Sequence, residues 1–531
     1  MPDVRGRYDV VVVGGGHNGL VCAAYLARAG RSVLVLERRP LVGGAAVTEE
    51  PWPGYRVSTA SYVVSLLQPR IVRDLVLRRY GYHVFPLDPA YFAPFPDDRG
   101  ILFWEDPRRA AAEIVSISAR DAEAYLQYQR ELRELARAVR PLLLRIPPSE
   151  PLRSLADLRE ALSLGIYALR RRRRLLPLAE LMTMSVADFL DRYFEHDGVK
   201  GALAAGGVIG MWGGPMSPGS AYVLLHHRMG EAAGLDGGWG FVRGGMGVLS
   251  EAIASAARAA GAEIRTDAEV HSIETVGGRV RSVTLKDGTM IRARAVCSGV
   301  HPTTTFLDLV GPQALPAYLI ERVRRYRTRG ASAKVNLALE ELPDFRAHPG
   351  TALGPQHPEF IISPSLEYLE RAWDEAKYGR PSSQPMLDCV IPTTKDGSLA
   401  PAGKHILTAF VQYTPYDLAG GTWDVEGEAL ADRVVETIGD YAPNVKDALL
   451  HREVVTPVDL ERRFGLRGGN IFHGEMAPDQ LFLLRPFPEA AAYRTPIRGL
   501  YLCGSGSHPG GGVIGAAGYN AARVVLRDVR R

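Results

Sequence analysis

The residues of this chain whose spacing could do chemistry begin with three glycines. Gly14-x-Gly16-x-x-Gly19 directly follows the apolar run Tyr8–Val13 and leads into helical sequence, Leu20 to Ala29. A second apolar run, Ser32–Leu36, ends at Glu37, 18 residues after Gly19. Strand, glycine turn, helix, strand and acid in this order read as a dinucleotide-binding fingerprint rather than as the glycine turn of an ordinary βαβ unit. Gly14 permits the turn, Gly16 lets a pyrophosphate approach the backbone, and Gly19 lets the helix pack close to the sheet. His17 and Asn18 lie at the helix start, where free N–H groups and a partial positive charge face the phosphates. Glu37 is placed to accept hydrogen bonds from a ribose diol.

More backbone donors follow. Gly43-Gly44-Ala45, just after Glu37-Arg38, is a glycine pair at the offset where a second strand exit meets the pyrophosphate. Val270 is the expected contact to the adenine. Val296-Cys297-Ser298-Gly299 is a strand end of small residues suited to close cofactor approach. Near the C-terminus, Leu500 to Leu502 reads as a strand. A loop through Cys503, Gly504, Ser505, His508, Gly512 and Val513 follows, then a helix from about Gly515. That is a second helix N-terminus aimed at a ligand. With Pro509 in the loop and no acid at the required spacing, it is not a separate NAD site.

These motifs, with Ala221–His227, Arg243–Gly247, Gly330–Asn336 and Gly469–Glu475, resemble the phytoene desaturase-like flavoproteins over nearly the whole chain. The nearest likeness is to the branch named for a pyridine nucleotide-disulfide oxidoreductase domain. The resemblance implies FAD, a glutathione-reductase-type Rossmann domain and a separate substrate domain over the flavin. It implies no settled substrate. The residues support neither half of the branch name: Cys22 stands alone on its helix, and one complete dinucleotide fingerprint exists.

With FAD bound, N5 of the flavin accepts hydride from a substrate C–H and the protein must position that carbon and exclude water. The candidate catalytic residues are four. His226 and His227 lie in an uncharged glycine- and proline-rich segment; one of them could face the flavin, or both could be structural and bond backbone. His473 and Glu475, two apart in a loop, could form a base pair at the pocket. His508 is expected to be a hydrogen-bonding part of its loop. Lys334 and Asn336 share a strand face, where an ion pair is the plainer account. His and acidic residues show no metal-ligand spacing, so no metal is expected. The expected function is an FAD-dependent oxidoreductase acting on an apolar or amphipathic small molecule. Its alternatives are polyene isomerisation by reduced FAD and a non-catalytic, FAD-stabilised regulatory protein.

The elements that must position these groups suggest an α/β fold in two interleaved domains. Residues 1–80, 240–310 and 485–531 form the FAD-binding domain, and 81–239 with 311–484 a mixed α/β substrate domain. In the first, a helix over Val248–Ala260, a short strand at Glu263–Arg265 and a meander through Ala268–Ile273, Arg279–Leu285 and Met290–Val296 return the chain to the sheet. The second includes strands at Ala333–Leu339 and Ile406–Tyr413 and a helix over Glu428–Tyr441. Gly201 to His227 carries no charge over 27 residues but has seven glycines and two prolines, which reads as buried, close-packed backbone.

Bulk composition excludes rather than decides. In 531 residues, 46% are hydrophobic and 23% charged, and the net charge is +4, values that do not point to nucleic acid. From Pro151 to Glu180, seven Arg face three acids, an excess equal to that of the whole chain. There Ser154-x-x-Asp157 reads as a capping box opening a helix with Leu155, Leu158, Leu162, Ile166 and Leu169 on one stripe, which runs into Arg170–Arg174. Such a helix either lies on an anionic membrane surface or turns its leucines into the core. The four cysteines, Cys22, Cys297, Cys389 and Cys503, have no C-x-x-C spacing and read as small buried hydrophobes. With a strand beginning at Tyr8, a cytoplasmic, reducing setting with optional peripheral membrane contact is the expectation. Nothing in the sequence specifies an oligomeric state.

Overall fold

The computed structural model describes residues 6–148, 155–350 and 358–529. The chain opens with β1 (Arg7–Val13), α1 (His17–Arg28) and β2 (Val33–Leu36). Val10, Val11 and Val12 are all fully buried, as a parallel strand covered on both faces requires. The chain then leaves through β3 (Tyr91–Pro94) and β4 (Gly100–Phe103) into the helices α2 (Ala119–Val139), α3 (Leu155–Arg170), α4 (Arg172–Thr183), α5 (Asp197–Val208) and α6 (Ser220–His227). It returns with α7 (Met246–Ala259), β5 (Glu263–Arg265) and the meander β6 (Val270–Val276), β7 (Arg279–Leu285) and β8 (Met290–Ser298). A second excursion carries β9 (Ser332–Leu339), β10 (Glu359–Ile362), β11 (Met386–Val390), β12 (His405–Gln412), α8 (Trp423–Gly439) and β13 (Leu449–Val455). β14 (Leu500–Leu502) and α9 (Ala516–Asp528) complete it.

Two seven-stranded sheets result. The first runs β5-β2-β1-β8-β7-β6, with β14 also on β8. Its β5, β2, β1, β8 and β14 pair in parallel, and the meander is antiparallel. This is the α/β, Rossmann-type dinucleotide fold. The glycine spacing explains its tightness: a Cβ on Gly19 would collide with the carbonyl oxygen of Gly14 and crowd Val12. α1 lies against both α7 and α9.

The second sheet runs β13-β9-β12-β11-β10-β3-β4. It is antiparallel except where β10 meets β3. β9 is buried at every position, so its one lysine, Lys334, is buried too. The 201–227 segment forms most of α5 and α6, which break apart around Gly213-Gly214-Pro215.

The basic helix departs from the core alternative. Leu158, Leu162, Ile166 and Leu169 of α3 are exposed. The inward face carries Leu164 and Tyr167 beside Asp157 and Glu160, and the two acids pair with Arg494 and Arg527 at 3.2 and 2.8 Å. Ser154 of the expected capping box lies outside the described residues. No helix among the described residues is long and apolar enough to cross a membrane.

Candidate cofactor and substrate site

A cavity of about 600 Å³ runs from the glycine turn of β1 to the face of the second sheet. At one end it is lined by Gly14, Gly16, His17, Asn18, Gly19, Glu37, Arg38, Gly43, Gly44 and Ala45. Val270, Gly299, Ser505, Gly512 and Val513 join them from far along the chain. The sequence groups these residues only in short runs; the sheet brings all the runs together. Asn18 Nδ2 donates to Ser505 Oγ at 3.0 Å, which ties the first glycine turn to the C-terminal loop. Gly43 N–H donates to the Gly15 carbonyl at 2.9 Å, which sets the glycine pair beside the fingerprint. Glu37 is held by the Gly15 and Arg39 N–H groups at 2.8 and 2.9 Å, and its remaining lone pairs are free to take ribose hydroxyls.

The cradle fits a dinucleotide on its own geometry. A Cβ on Gly16 would meet nothing nearer than Gly44 Cα at 4.0 Å; it would stand in the open channel rather than in protein. His17 Nε2 and His473 Nδ1 are buried without a hydrogen-bond partner. Burial, with His473 close by, pulls the His17 imidazolium down to about 4, and burial beside Arg485 does the same to His473. Both rings are therefore neutral at neutral pH and offer a nitrogen to a ligand. The backbone is strained at this end: His473 has φ +58° and Val513 φ +57°, which non-glycine residues, β-branched ones above all, seldom adopt outside functional sites. Tyr326 donates to the His473 carbonyl at 2.8 Å and fixes that conformation.

Four expected residues lie off the cavity wall. Gly504 packs its backbone on Gly299. His508 donates to the Leu142 carbonyl at 2.9 Å. His226 donates to the Gly511 carbonyl at 3.1 Å and so supports the C-terminal loop from behind, while its neighbour His227 lines the cavity. Glu475 turns away from His473 and pairs with Arg327 and Arg329 at 3.2 and 2.7 Å. The structure does not bring the two into one acid–base unit.

A family profile described as flavin containing amine oxidoreductase matches residues 19–526. The chain belongs to the flavin-containing amine oxidoreductases. It is 43% identical to the pyridine nucleotide-disulfide oxidoreductase domain-containing protein 2 of Rattus norvegicus, over 99% of this chain and 94% of the relative. It is 26% identical to the lycopene-forming phytoene desaturase of Pantoea ananas, over 96% of both. Cyclohexylamine oxidase from Brevibacterium oxydans shares its fold with a TM-score of 0.57 at 17% identity, over 99% of this chain and 100% of the other. The resemblance to phytoene desaturase-like flavoproteins holds, and FAD is the cofactor of this fold.

Three thiols of the flavoprotein meet beneath the cradle. Its cysteines are free and buried. The contact with Cys297, together with burial, pushes the Cys22 thiol well up, and the contact with Cys22 does the same for Cys503. Raised thiols are poor nucleophiles, so they act here as core side chains.

The far end of the cavity holds a group that sequence reasoning did not assemble. Lys334 of β9 pairs across the sheet with Phe410 of β12, and Phe410 with Asp388 of β11. Tyr62 lies over this row. Its ring stacks on Phe410, its centroid is 3.5 Å from Lys334 Nζ, and its hydroxyl donates to Asp388 at 2.6 Å. Lys334 Nζ and Asp388 Oδ1 are buried with no hydrogen-bond partner. Burial pushes the Lys334 ammonium down to about 7, against the pull of Asp388, and pushes the carboxyls of Asp388 and Glu359 up. Asn336, by contrast, turns to Glu453 and Thr408. One signal was present: an Arg-rich chain with seven lysines keeps one of them in a strand, Ser332–Leu339, that carries no other charge.

Arg485 was also missed. Its guanidinium is fully buried and donates to the carbonyls of Phe472, Gly474, Glu475, Gln480 and Ser505. It fastens the His473 loop to the C-terminal glycine loop.

Proposed function

We propose that this flavoprotein dehydrogenates an amphipathic organic molecule, with Lys334 as the proton acceptor. The supporting observation is the continuity of the cavity: one space touches the glycine cradle at one end and the Tyr62–Lys334–Asp388 group at the other. When bound, FAD supplies a hydride acceptor at N5. The glycine turns, Glu37 and the C-terminal loop hold the nucleotide. Leu203, Ile209, Leu224, Ile361 and Phe472 present apolar wall to the body of the substrate, and the polar group of the substrate meets the Lys334 end. The Lys334 amine, neutral above about pH 7, receives the proton that leaves as hydride departs. In this reading 1–80, 240–310 and 485–531 serve the cofactor, 81–239 and 311–484 serve the substrate, and His226, His508 and Glu475 support loops rather than react.

The test is anaerobic reduction of the bound flavin by a panel of amphipathic amines, alcohols and terpenoids. The reading expects loss of the flavin absorbance band with at least one substrate. It also expects Lys334→Met to keep its flavin yet bleach about 10²–10⁴-fold more slowly. Turnover without bleaching would assign non-redox isomerisation instead. A protein that takes up FAD but bleaches with none of the panel would favour a non-catalytic role.

A further inference from the structure

We propose that α3 and α4 form a docking face for an anionic phospholipid surface. This goes beyond the reaction at the flavin and does not depend on it. The observation is a helix with an outward row of aliphatic side chains. An ordinary surface helix turns its apolar stripe to the core; α3 buries Leu164 and Tyr167 only in part and leaves Leu158, Leu162, Ile166 and Leu169 to solvent. Its inward face carries Asp157 and Glu160, which pair with Arg494, Arg523 and Arg527. Tyr167 on the same side donates to the Ala138 carbonyl at 2.7 Å. These contacts orient the helix and leave Leu158, Leu162, Ile166 and Leu169 outside.

The outward stripe is continuous. Leu162, Ile166 and Leu169 are 58%, 52% and 64% exposed, and Leu176 at the start of α4 is 70% exposed. Leu158 extends the row at one end and Leu175 at the other. Arg159 and Arg170 to Arg173 are exposed around it, and the ridge itself carries no acid. Among the described residues it is the longest such row of exposed aliphatic side chains.

Charge decides the occupant. A second copy docked ridge to ridge would set two arginine runs against each other. An anionic lipid surface accepts both features at once, leucines into the acyl boundary and guanidinium groups onto phosphates. The site is also placed for supply: α4 packs against α6, and Leu224 and His227 of α6 line the cavity. The face lies one helix from the substrate chamber, which suits a substrate drawn from a membrane.

The test is flotation of the FAD-loaded protein with vesicles of phosphatidylcholine alone and of phosphatidylcholine carrying about one third phosphatidylglycerol, with sedimentation velocity run beside it. Binding to the anionic vesicles, weakened by salt, is expected. Arg171→Glu/Arg172→Glu/Arg173→Glu should weaken that binding about 100-fold, and Leu162→Ser/Ile166→Ser about 10-fold or more. Both variants should keep their flavin absorbance and thermal stability, since the altered side chains are exposed. Three results would overturn the proposal. One is no flotation with anionic vesicles at low salt. Another is equal binding to neutral vesicles, insensitive to the arginines. The third is a wild-type dimer that Leu162→Ser/Ile166→Ser splits, which would make the ridge an interface between copies.

Discussion

Replacing Lys334 by methionine should make this flavoprotein more stable and far less active. The side chain keeps its length and loses its charge. A lysine that titrates near 10.5 in the unfolded chain and near 7 when buried costs about 4 kcal/mol of folding free energy at neutral pH. The attraction of Asp388 is already contained in that value. Between pH 7 and 10.5 the unfolded chain binds a proton that the folded chain does not, so wild-type stability rises with pH across that window. Methionine has no such dependence. The advantage of Lys334→Met is therefore largest at and below pH 7 and nearly gone at pH 10.5. For 531 residues the unfolding entropy is about 1.1 kcal/mol/K, so the gain appears as a rise of about 4 °C in Tm at neutral pH. Scanning calorimetry of both proteins from pH 6 to 10, with flavin-reduction kinetics alongside, reads both effects. A lower Tm for the variant at pH 7, or a gap that does not close as pH rises, would refute the reasoning that burial sets the state of this amine. A wild-type rate that fails to climb through about pH 7 would refute its role as base.

Three other outcomes follow from the geometry. Gly16→Val should lose FAD affinity by more than about 100-fold in a flavin titration while the apo-protein unfolds within about 1 kcal/mol of wild type, because the new side chain occupies the channel and not the protein. Glu475→Gln should lower stability by about 1 kcal/mol in a urea melt and leave kcat and its pH profile alone, since its arginine partners are 39% and 54% exposed. Arg485→Met should cost about 3–5 kcal/mol and speed FAD release, measured by flavin fluorescence, because several carbonyls lose their buried donor.

The dinucleotide unit was legible because its parts are contiguous. β1, the glycine turn, α1, β2 and Glu37 lie within the first 37 residues, and their periodicity and turn chemistry are local. The return through α7, β5 and the meander was legible for the same reason. The base was not. Tyr62 and Asp388 are 326 positions apart, and Lys334 joins them only through the register of β9, β12 and β11. His473 and Glu475 looked like a pair because they are close in sequence, but Arg327 and Arg329 draw Glu475 away. For α3 the 3.6-residue period revealed a stripe and could not say which way it faced. That was decided by Arg494, Arg523 and Arg527, more than 300 residues downstream.

The first sheet takes β1 and β2 from the start of the chain, β5 to β8 from its middle and β14 from its last stretch, and Asn18 reaches Ser505 across 487 positions. A ribosome making this protein therefore releases the opening half of the nucleotide cleft long before the strand and loop that complete it. Flavin capture belongs to the finished polypeptide, so a message cut short near its end should yield colourless chains with exposed β8 edges rather than a weaker holoprotein.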